Sequence, residues 1–155
     1  MIDDDFKISS EIKKDYIVIF PFCSPKHQQK IWPYYNELIL KLKSNFPDID
    51  IVIAPGPGEI KAAKKYNVKI CLHNKKPTNF FQLSKLLIGA KYVISNDTGP
   101  AHLAAHMGCH GLALFGSHTT PKKVSIETSH FSSISSKNIS DISVEAVYKK
   151  IDSHL

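Results

Sequence analysis

The residues best suited to chemistry in this chain lie in one short turn, Asn96-Asp97-Thr98-Gly99-Pro100. An apolar, β-branched run precedes this turn, and a short helical stretch follows it. Pro100 suits the first turn of a helix, where its missing N–H has no partner to lose, and Thr98 or Gly99 can cap that helix. The unpaired N–H groups there carry partial positive charge, and Gly99 has no Cβ to keep an anion away. The turn predicts a phosphate-binding site, and a capped helix start without a ligand is the alternative.

A second kind of chemistry is open to the same helix. His102 and His106 are four residues apart, and Cys109 and His110 follow them. Two histidines at this spacing can bind zinc from one helix face. However, His110 lies beyond the predicted helix end, and no glutamate lies between the two histidines to act as a base. A metal site and a Cys–His nucleophile are therefore alternatives with less support than the anion site.

The elements that position these residues alternate between strand and helix. The predicted strands read as continuous apolar runs, which is typical of strands buried on both faces; they lie at 16–20, 50–54, 68–72, 92–95 and 112–115. The serine-rich stretch 131–135 is a candidate for a sixth strand. Helices are predicted between them at 32–46, 59–66, 80–87 and 101–108, and a last helix follows Ser140 or Asp141 as its cap. This order predicts right-handed βαβ units and a doubly wound parallel α/β sheet of five to six strands, with helices on both faces. Ligands of such sheets bind beyond the carboxyl ends of the strands, where the candidate residues lie.

Two local predictions concern helix faces and ends. Thr78 or Asn79 is expected to cap the helix 80–87, with Phe80, Leu83, Leu86 and Leu87 on its inner face. Gly108 and Gly111 are expected to end the helix that follows the Asp97 turn.

Composition limits the domain organisation and the cell compartment. The chain has 155 residues and 43% hydrophobic content, which suits one domain. We expect residues 1–15 to be a polar tail or linker and residues 16–155 to form the domain. Three cysteines without framework spacing indicate reduced thiols in a cytoplasmic protein. No transmembrane segment or signal sequence is predicted.

The charge pattern argues against nucleic acid as a partner. The net charge is +6, and all 20 basic residues are lysines. Arginine supplies the planar fork that reads guanine or clamps phosphate with two hydrogen bonds, and this chain has none. A general attraction to phosphates or to an anionic membrane surface stays open.

The turn and its surroundings resemble a known signature. Asp97-Thr-Gly-Pro-x-His-Leu-Ala-Ala105, with a Gly-containing turn and then Ala-Leu-Phe-Gly116, is similar to the donor-site motif of the heptosyltransferases, glycosyltransferase family 9. Lys30-x-Trp-Pro33 is similar to a second element of that family. The resemblance runs from about Tyr16 to Pro121. It implies a Rossmann-like domain, namely the C-terminal, nucleotide-sugar-binding half of a two-domain GT-B glycosyltransferase.

The resemblance also implies roles for individual residues. Lys30 would contact the donor diphosphate, and Glu59 would accept hydrogen bonds from the ribose hydroxyls. Asp97 would orient the turn, cap the helix or contact the donor sugar. The family usually has a glycine at the position of Phe22, and its loop after Gly116 usually reads Gly-Pro-Thr, so those loops match less well. The predicted donor-binding residues are Ser24, Lys30, Glu59, Asp97, Thr98, Gly99, Pro100, His102 and His118.

The function implied by the resemblance is sugar transfer from a nucleotide sugar. The family's donor is typically ADP-heptose, its product is the lipopolysaccharide inner core, and its inverting mechanism needs no metal or cofactor. The acceptor and the catalytic aspartate belong to an N-terminal domain. Because 15 residues precede the first predicted strand, we expect that domain to be absent here, and we predict no catalytic base.

The expected partners follow from the same resemblance. They are a nucleotide sugar resembling ADP-heptose, a separate N-terminal-half acceptor domain and, through that domain, a lipid-linked saccharide. We expect a cytoplasmic location, and a peripheral association with the inner face of the membrane stays open. The alternative is a stand-alone nucleotide-binding or interaction module without transferase activity.

Overall fold

Alternating strands and helices build the predicted parallel sheet. The computed structural model describes residues 8–23, 25–116 and 126–155. All paired strands run parallel, in the order β3-β2-β1-β4-β5-β6; they are β1 Tyr16–Phe20, β2 Asp50–Ile53, β3 Lys69–Ile70, β4 Tyr92–Asn96, β5 Gly111–Phe115 and β6 Phe131–Ser135. The α-helices are α1 Tyr35–Asn45, α2 Ile60–Ala63, α3 Phe80–Gly89, α4 Gly99–His106 and α5 Val144–His154. Short 3₁₀ segments cover Pro25–Lys30 and Ile139–Asp141. The prediction of a doubly wound, Rossmann-like sheet is confirmed.

Both faces of the sheet are covered by helices. Val18 and Phe20 of β1 point into a core built with α3 and α4. Ile17 and Ile19 point into a second core built with α1, α2 and α5. Because successive side chains of a strand face opposite sides, a strand between two cores must be apolar throughout. This explains why β1 is an uninterrupted apolar run.

The two central strands, β1 and β4, define the point where the chain reverses its direction across the sheet. From β1 the chain moves outward to β2, whereas from β4 it moves the other way to β5. The register pairs Phe20 with Ser95, so the loops that follow β1 and β4 begin side by side. Crevices form at such switch points, beyond the carboxyl ends of the strands.

Asn79 caps α3, as predicted, in a reciprocal pair with Gln82, with N···O distances of 2.8 and 2.9 Å. Two other helix predictions need correction. Gln82 takes the buried position in that first turn, and Phe80, predicted on the inner face, is 72% exposed. The cap of α5 is Ser143, whose Oγ accepts from the Ala146 N–H at 3.1 Å. Ser140 and Asp141 lie instead in a 3₁₀ turn, because Ile139 and Ile142 are buried there and delay the start of the helix.

Other element ends also differ from the predictions. Gly108, at φ +78°, lies just beyond α4, but Gly111 is the first residue of β5 rather than part of the helix end. Both α2 and β3 are shorter than predicted. In the case of β3 the reason is its place at the edge of the sheet, where it pairs with two residues of β2. Within residues 8–15, predicted as tail, Ile12 is 8% exposed in the core, and the Lys13 N–H donates to Asp50 Oδ2 at 2.8 Å. None of the helices in the described ranges is long and apolar enough to cross a membrane.

The start of β5 leaves no room for a side chain. A Cβ on Gly111 would lie 2.3 Å from the Phe131 ring and 2.6 Å from the Val93 carbonyl oxygen. We predict that Gly111→Ala lowers the free energy of unfolding by about 1–3 kcal/mol, because a backbone atom cannot rotate out of the way. Urea denaturation measures this change.

The matched control is Gly99→Ala, since a Cβ at Gly99 would meet no described atom within 4 Å. It should leave the free energy of unfolding unchanged or raise it by up to about 1 kcal/mol. Equal stability of the two variants would contradict the prediction.

Candidate functional site

A cleft of about 490 Å³ opens at the carboxyl ends of β1, β2 and β4. Its walls are the loops after these strands, together with residues next to or within α3 and the first turn of α4. Seven of the predicted site residues line it: Lys30, Glu59, Asp97, Thr98, Gly99, Pro100 and His102. Ser24 and His118 lie outside the described residues. The fold thus brings together residues from three separate loops.

Asp97 is the electrostatic centre of the cleft. Its side chain is 3% exposed; Oδ2 lies 3.4 Å from Lys30 Nζ, and Oδ1 lies 3.4 Å from His102 Nε2. The side chain of Lys30 is itself 12% exposed, so little water screens the pair. Charges act more strongly on each other in such a setting than at the surface. The carboxylate therefore holds a cation at the entrance to α4.

The N-terminal end of α4 lines the cleft with Thr98, Gly99 and Pro100. Thr98 is the N-cap residue, with an extended backbone, but its side chain does not cap the helix. Its Oγ1 lies 3.0 Å from Ser95 Oγ instead. Gly99 and Pro100 are the first two residues of α4, and the position of a Cβ on Gly99 is open. Amides that the helix cannot pair internally thus lie beside an ammonium group, an arrangement suited to an anion.

Glu59 lies across the cleft, at the end of the loop after β2. Its Oε1 accepts a hydrogen bond from the Gly56 N–H at 2.8 Å, which orients the carboxylate. Glu59 is also the N-cap residue of α2. A carboxylate fixed in this way can accept hydrogen bonds from ligand hydroxyl groups.

Phe22, which departs from the family glycine, contributes an apolar wall. Its ring lines the cleft and packs edge-to-face on Tyr66, with ring centroids 5.9 Å apart. Next to it, the Cys23 Sγ donates to the His27 carbonyl oxygen at 2.7 Å. Burial raises the pKa of the Cys23 thiol, so this group stays neutral in the cleft.

The structure also adds residues that the sequence did not predict for the donor site. Thr78 and Leu83 line the cleft from the side of α3. Asn96 lies behind it, fully buried, and its Oδ1 accepts hydrogen bonds from the Trp32 N–H at 3.0 Å and from the Tyr35 hydroxyl at 2.9 Å. The turn signal around Asn96 was visible in the sequence, but its partners are more than 60 residues away and no local pattern marks them.

The residues of the zinc and nucleophile alternatives do not converge. His102 faces Asp97, whereas the Cys109 Sγ donates to the Leu87 carbonyl oxygen at 3.4 Å. The ring of His110 packs on the rings of His130 and His154, with centroids 4.5 and 4.2 Å away. Within residues 8–23, 25–116 and 126–155, no three His, Cys, Asp or Glu side chains are arranged to hold a metal ion. Burial also raises the pKa of the Cys109 thiol, which disfavours the thiolate that a nucleophile needs.

The sequence of this chain matches the model of one protein family over nearly its whole length. The sequence model of glycosyltransferase family 9 (heptosyltransferase) matches residues 3–149. This chain belongs to glycosyltransferase family 9. The match spans every element that lines the cleft, and it confirms the family resemblance of the Asp97 motif.

Solved structures share the fold. E. coli heptosyltransferase WaaC with ADP has a TM-score of 0.75 at 20% identity, over 96% of this chain and 46% of that chain. E. coli ADP-heptose LPS heptosyltransferase II has a TM-score of 0.72 at 19% identity, over 94% and 47%. The family 9 glycosyltransferase from Veillonella parvula has a TM-score of 0.72 at 18% identity, over 91% and 46%. This chain therefore spans about half the length of these structures. No curated protein sequence matches it.

The histidine cluster at the opposite end of β5 gives a pH-dependent prediction. Reduced contact with water, followed by repulsion from His154 and His130, lowers the pKa of His110 below its usual 6.5. The unfolded chain then binds this proton more tightly than the folded one. The contribution of His110 to the free energy of unfolding is therefore complete above about pH 6.5, and it decreases as the pH falls below that value. Titration of the imidazole signals by NMR measures the pKa.

Removing a neighbouring ring tests the cause. His154→Ala should raise the pKa of His110, and His106→Ala, on the exposed end of α4, should leave it unchanged. A pKa of His110 at or above 6.5 in the unaltered protein would contradict the prediction.

Proposed function

We propose that this chain is the donor-binding half of a heptosyltransferase and that its cleft binds a nucleotide sugar of the ADP-heptose type. The observation that carries this proposal is the Lys30–Asp97 pair beside the first turn of α4. A diphosphate needs several positive or N–H groups aimed at one place, and these two elements supply them. Membership of glycosyltransferase family 9 supports the same assignment.

The proposed contacts divide the donor among the walls of the cleft. Lys30 and the amides of Thr98 and Gly99 bind the diphosphate, and Glu59 binds the ribose hydroxyls. His102, whose Nε2 lies 3.4 Å from Asp97 Oδ1, lines the cleft beside the diphosphate. Phe22 and Leu83 are apolar residues that line the cleft, and their side chains offer surfaces for the base.

The chemistry on this side of the reaction is stabilisation of the leaving group. An acceptor hydroxyl attacks the anomeric carbon while the bond from that carbon to the diphosphate oxygen breaks. Negative charge then develops on the diphosphate, where the Lys30 ammonium group and the amides of α4 are already in place. The proton of the acceptor passes to a base in the other half of the enzyme. No residue of this chain is assigned as that base.

The donor and the pathway are proposed by analogy. One E. coli relative was solved with ADP and with ADP-2-deoxy-2-fluoro heptose, which supports an adenosine diphosphate sugar as donor. By the same analogy we propose a role in lipopolysaccharide core synthesis, in the cytoplasm at the inner face of the membrane. The partner would be an acceptor domain that holds a lipid-linked saccharide. This chain alone should bind the donor weakly, because the other wall of the cleft adds contacts and excludes water.

The first test is the binding of nucleoside diphosphates. By NMR titration, the chain should bind ADP more tightly than UDP or GDP. Lys30→Met should weaken ADP binding about tenfold, since a hydrogen bond to a charged group contributes about 1.5–3 kcal/mol. The charge-matched control is Lys61→Met, which removes an exposed lysine outside the cleft and should change the affinity less than about twofold.

Two outcomes of this titration would contradict the proposal. Absence of binding by all three nucleotides would favour the alternative, an interaction module without transferase activity. An equal loss in the Lys61 and Lys30 variants would indicate general electrostatic attraction rather than a built site.

The second test is Gly99→Ala. The added methyl group should enter the space that an anion occupies at the start of α4, and we predict a loss in ADP affinity of about tenfold or more. The same variant leaves the fold unstrained, since no described atom beyond its chain neighbours and its own helix backbone lies within 4 Å of the new Cβ. Unchanged ADP affinity in a stable Gly99→Ala protein would argue against the helix start as the phosphate site.

A further inference from the structure

Asn96 is a buried amide directly before the residue at the centre of the site. It is fully buried at the end of β4 and does not line the cleft. Its neighbours Ser95 and Asp97 are also buried, so three consecutive polar residues have little or no contact with water. Buried polar groups are costly unless they are well paired.

The hydrogen bonds of Asn96 are unevenly distributed. Oδ1 accepts two of them, from the Trp32 N–H at 3.0 Å and from the Tyr35 hydroxyl at 2.9 Å. A backbone N–H can only donate, so the amide orientation is determined. Among the residues that the structure describes, none accepts a hydrogen bond from Nδ2. Leaving such a donor unpaired costs about 1–3 kcal/mol, so Asn96 is a poor choice for stability alone.

The two donors belong to the segment that carries Lys30. Trp32 follows Lys30 by two residues, and Tyr35 begins α1. The Trp32 indole Nε1 donates to the Ile142 carbonyl oxygen at 2.8 Å, and its ring packs edge-to-face on Tyr35 at 5.1 Å. Asn96 therefore joins this rigid aromatic pair to the end of β4.

This connection sets the distance between two groups of the site. Lys30 ends the 3₁₀ segment Pro25–Lys30, and the backbone bond at Trp32 limits how far it can move from β4. Asp97 directly follows Asn96 in the chain, so it lies on the β4 side of the contact between Asn96 and Trp32. The 3.4 Å approach of Lys30 Nζ to Asp97 Oδ2 thus depends on two chain segments that meet at Asn96.

We propose that Asn96 is a positioning residue for Lys30: it holds the Lys30 segment against the end of β4, and it promotes diphosphate binding without touching the ligand. This inference rests on the proposed function, because its readout is ADP binding. A residue that acts through Lys30 has no effect once the ammonium group is gone, whereas a merely structural residue weakens binding in either background.

The experiment is a double-mutant cycle with Asn96→Leu and Lys30→Met, measured by NMR titration with ADP into the millimolar range. Leucine has a similar size, but it leaves the Trp32 N–H and the Tyr35 hydroxyl unpaired. We expect Asn96→Leu to weaken ADP binding about tenfold in the unaltered chain and less than about twofold in the Lys30→Met background. An equal loss in both backgrounds overturns the inference and leaves the proposed function intact.

Two further variants keep the test decisive. Ile94→Val removes one buried methylene group from the same strand, and it should lower stability without changing the affinity for ADP. Should Asn96→Leu fail to fold, Tyr35→Phe removes a single hydroxyl from the same contact. It should weaken ADP binding measurably in the unaltered chain and not in the Lys30→Met background. Equal effects of Tyr35→Phe in both backgrounds overturn the inference, and absence of ADP binding by the unaltered chain overturns the proposed function with it.

Discussion

The buried carboxylate of Asp97, shared between the Lys30 ammonium group and the His102 ring, is the interaction on which the candidate site depends. A carboxylate in this position loses much of its hydration, and it is tolerated because positive and hydrogen-bonding groups reach both of its oxygens. Those groups come from different parts of the chain, one from the loop after β1 and one from α4. The pair can therefore exist only if β1 and β4 are neighbours with aligned ends.

The sheet provides that alignment through burial on both faces. A shift of one residue between β1 and β4 would send Ile17 and Ile19 into the wrong core, so the register is strongly determined. The same register pairs Phe20 with Ser95, and it places the loops after the two strands side by side. Packing in the core thus decides the geometry at the end of the sheet, several residues away.

The cleft that results is suited to form one half of a ligand-binding site. It presents a cation beside the start of a helix and, across the cleft, an oriented carboxylate, and these groups match the polar parts of a nucleotide sugar. The solved relatives are about twice as long as this chain. In our proposal, the second wall, the acceptor and the base come from elsewhere, and this chain contributes the contacts to the leaving group.

Much of the architecture could be read from local patterns. Apolar runs marked the first five strands, and their alternation with helices predicted the parallel, doubly wound sheet. The sixth strand, Phe131–Ser135, is serine-rich and was predicted only as a candidate. The Thr98-Gly99-Pro100 turn marked the start of α4, and the longer motif around it predicted glycosyltransferase family 9. Such patterns work because strand burial, helix capping and turn formation depend on residues a few positions apart.

Only the tertiary structure decided which distant residues meet. Lys30 and Asp97 are 67 positions apart, and Asn96 is 64 from Trp32. The family resemblance assigned Lys30 and Asp97 to one site, but no local pattern predicted their ion pair or the contact between Asn96 and Trp32. The predictions for Phe80 and for the cap of α5 were also wrong. Gln82 takes the buried position in the first turn of α3, so Phe80 is exposed. Two buried isoleucines delay the start of α5, so its cap is Ser143. Strand order and register determine such contacts, and they emerge when the whole chain packs both faces of one sheet.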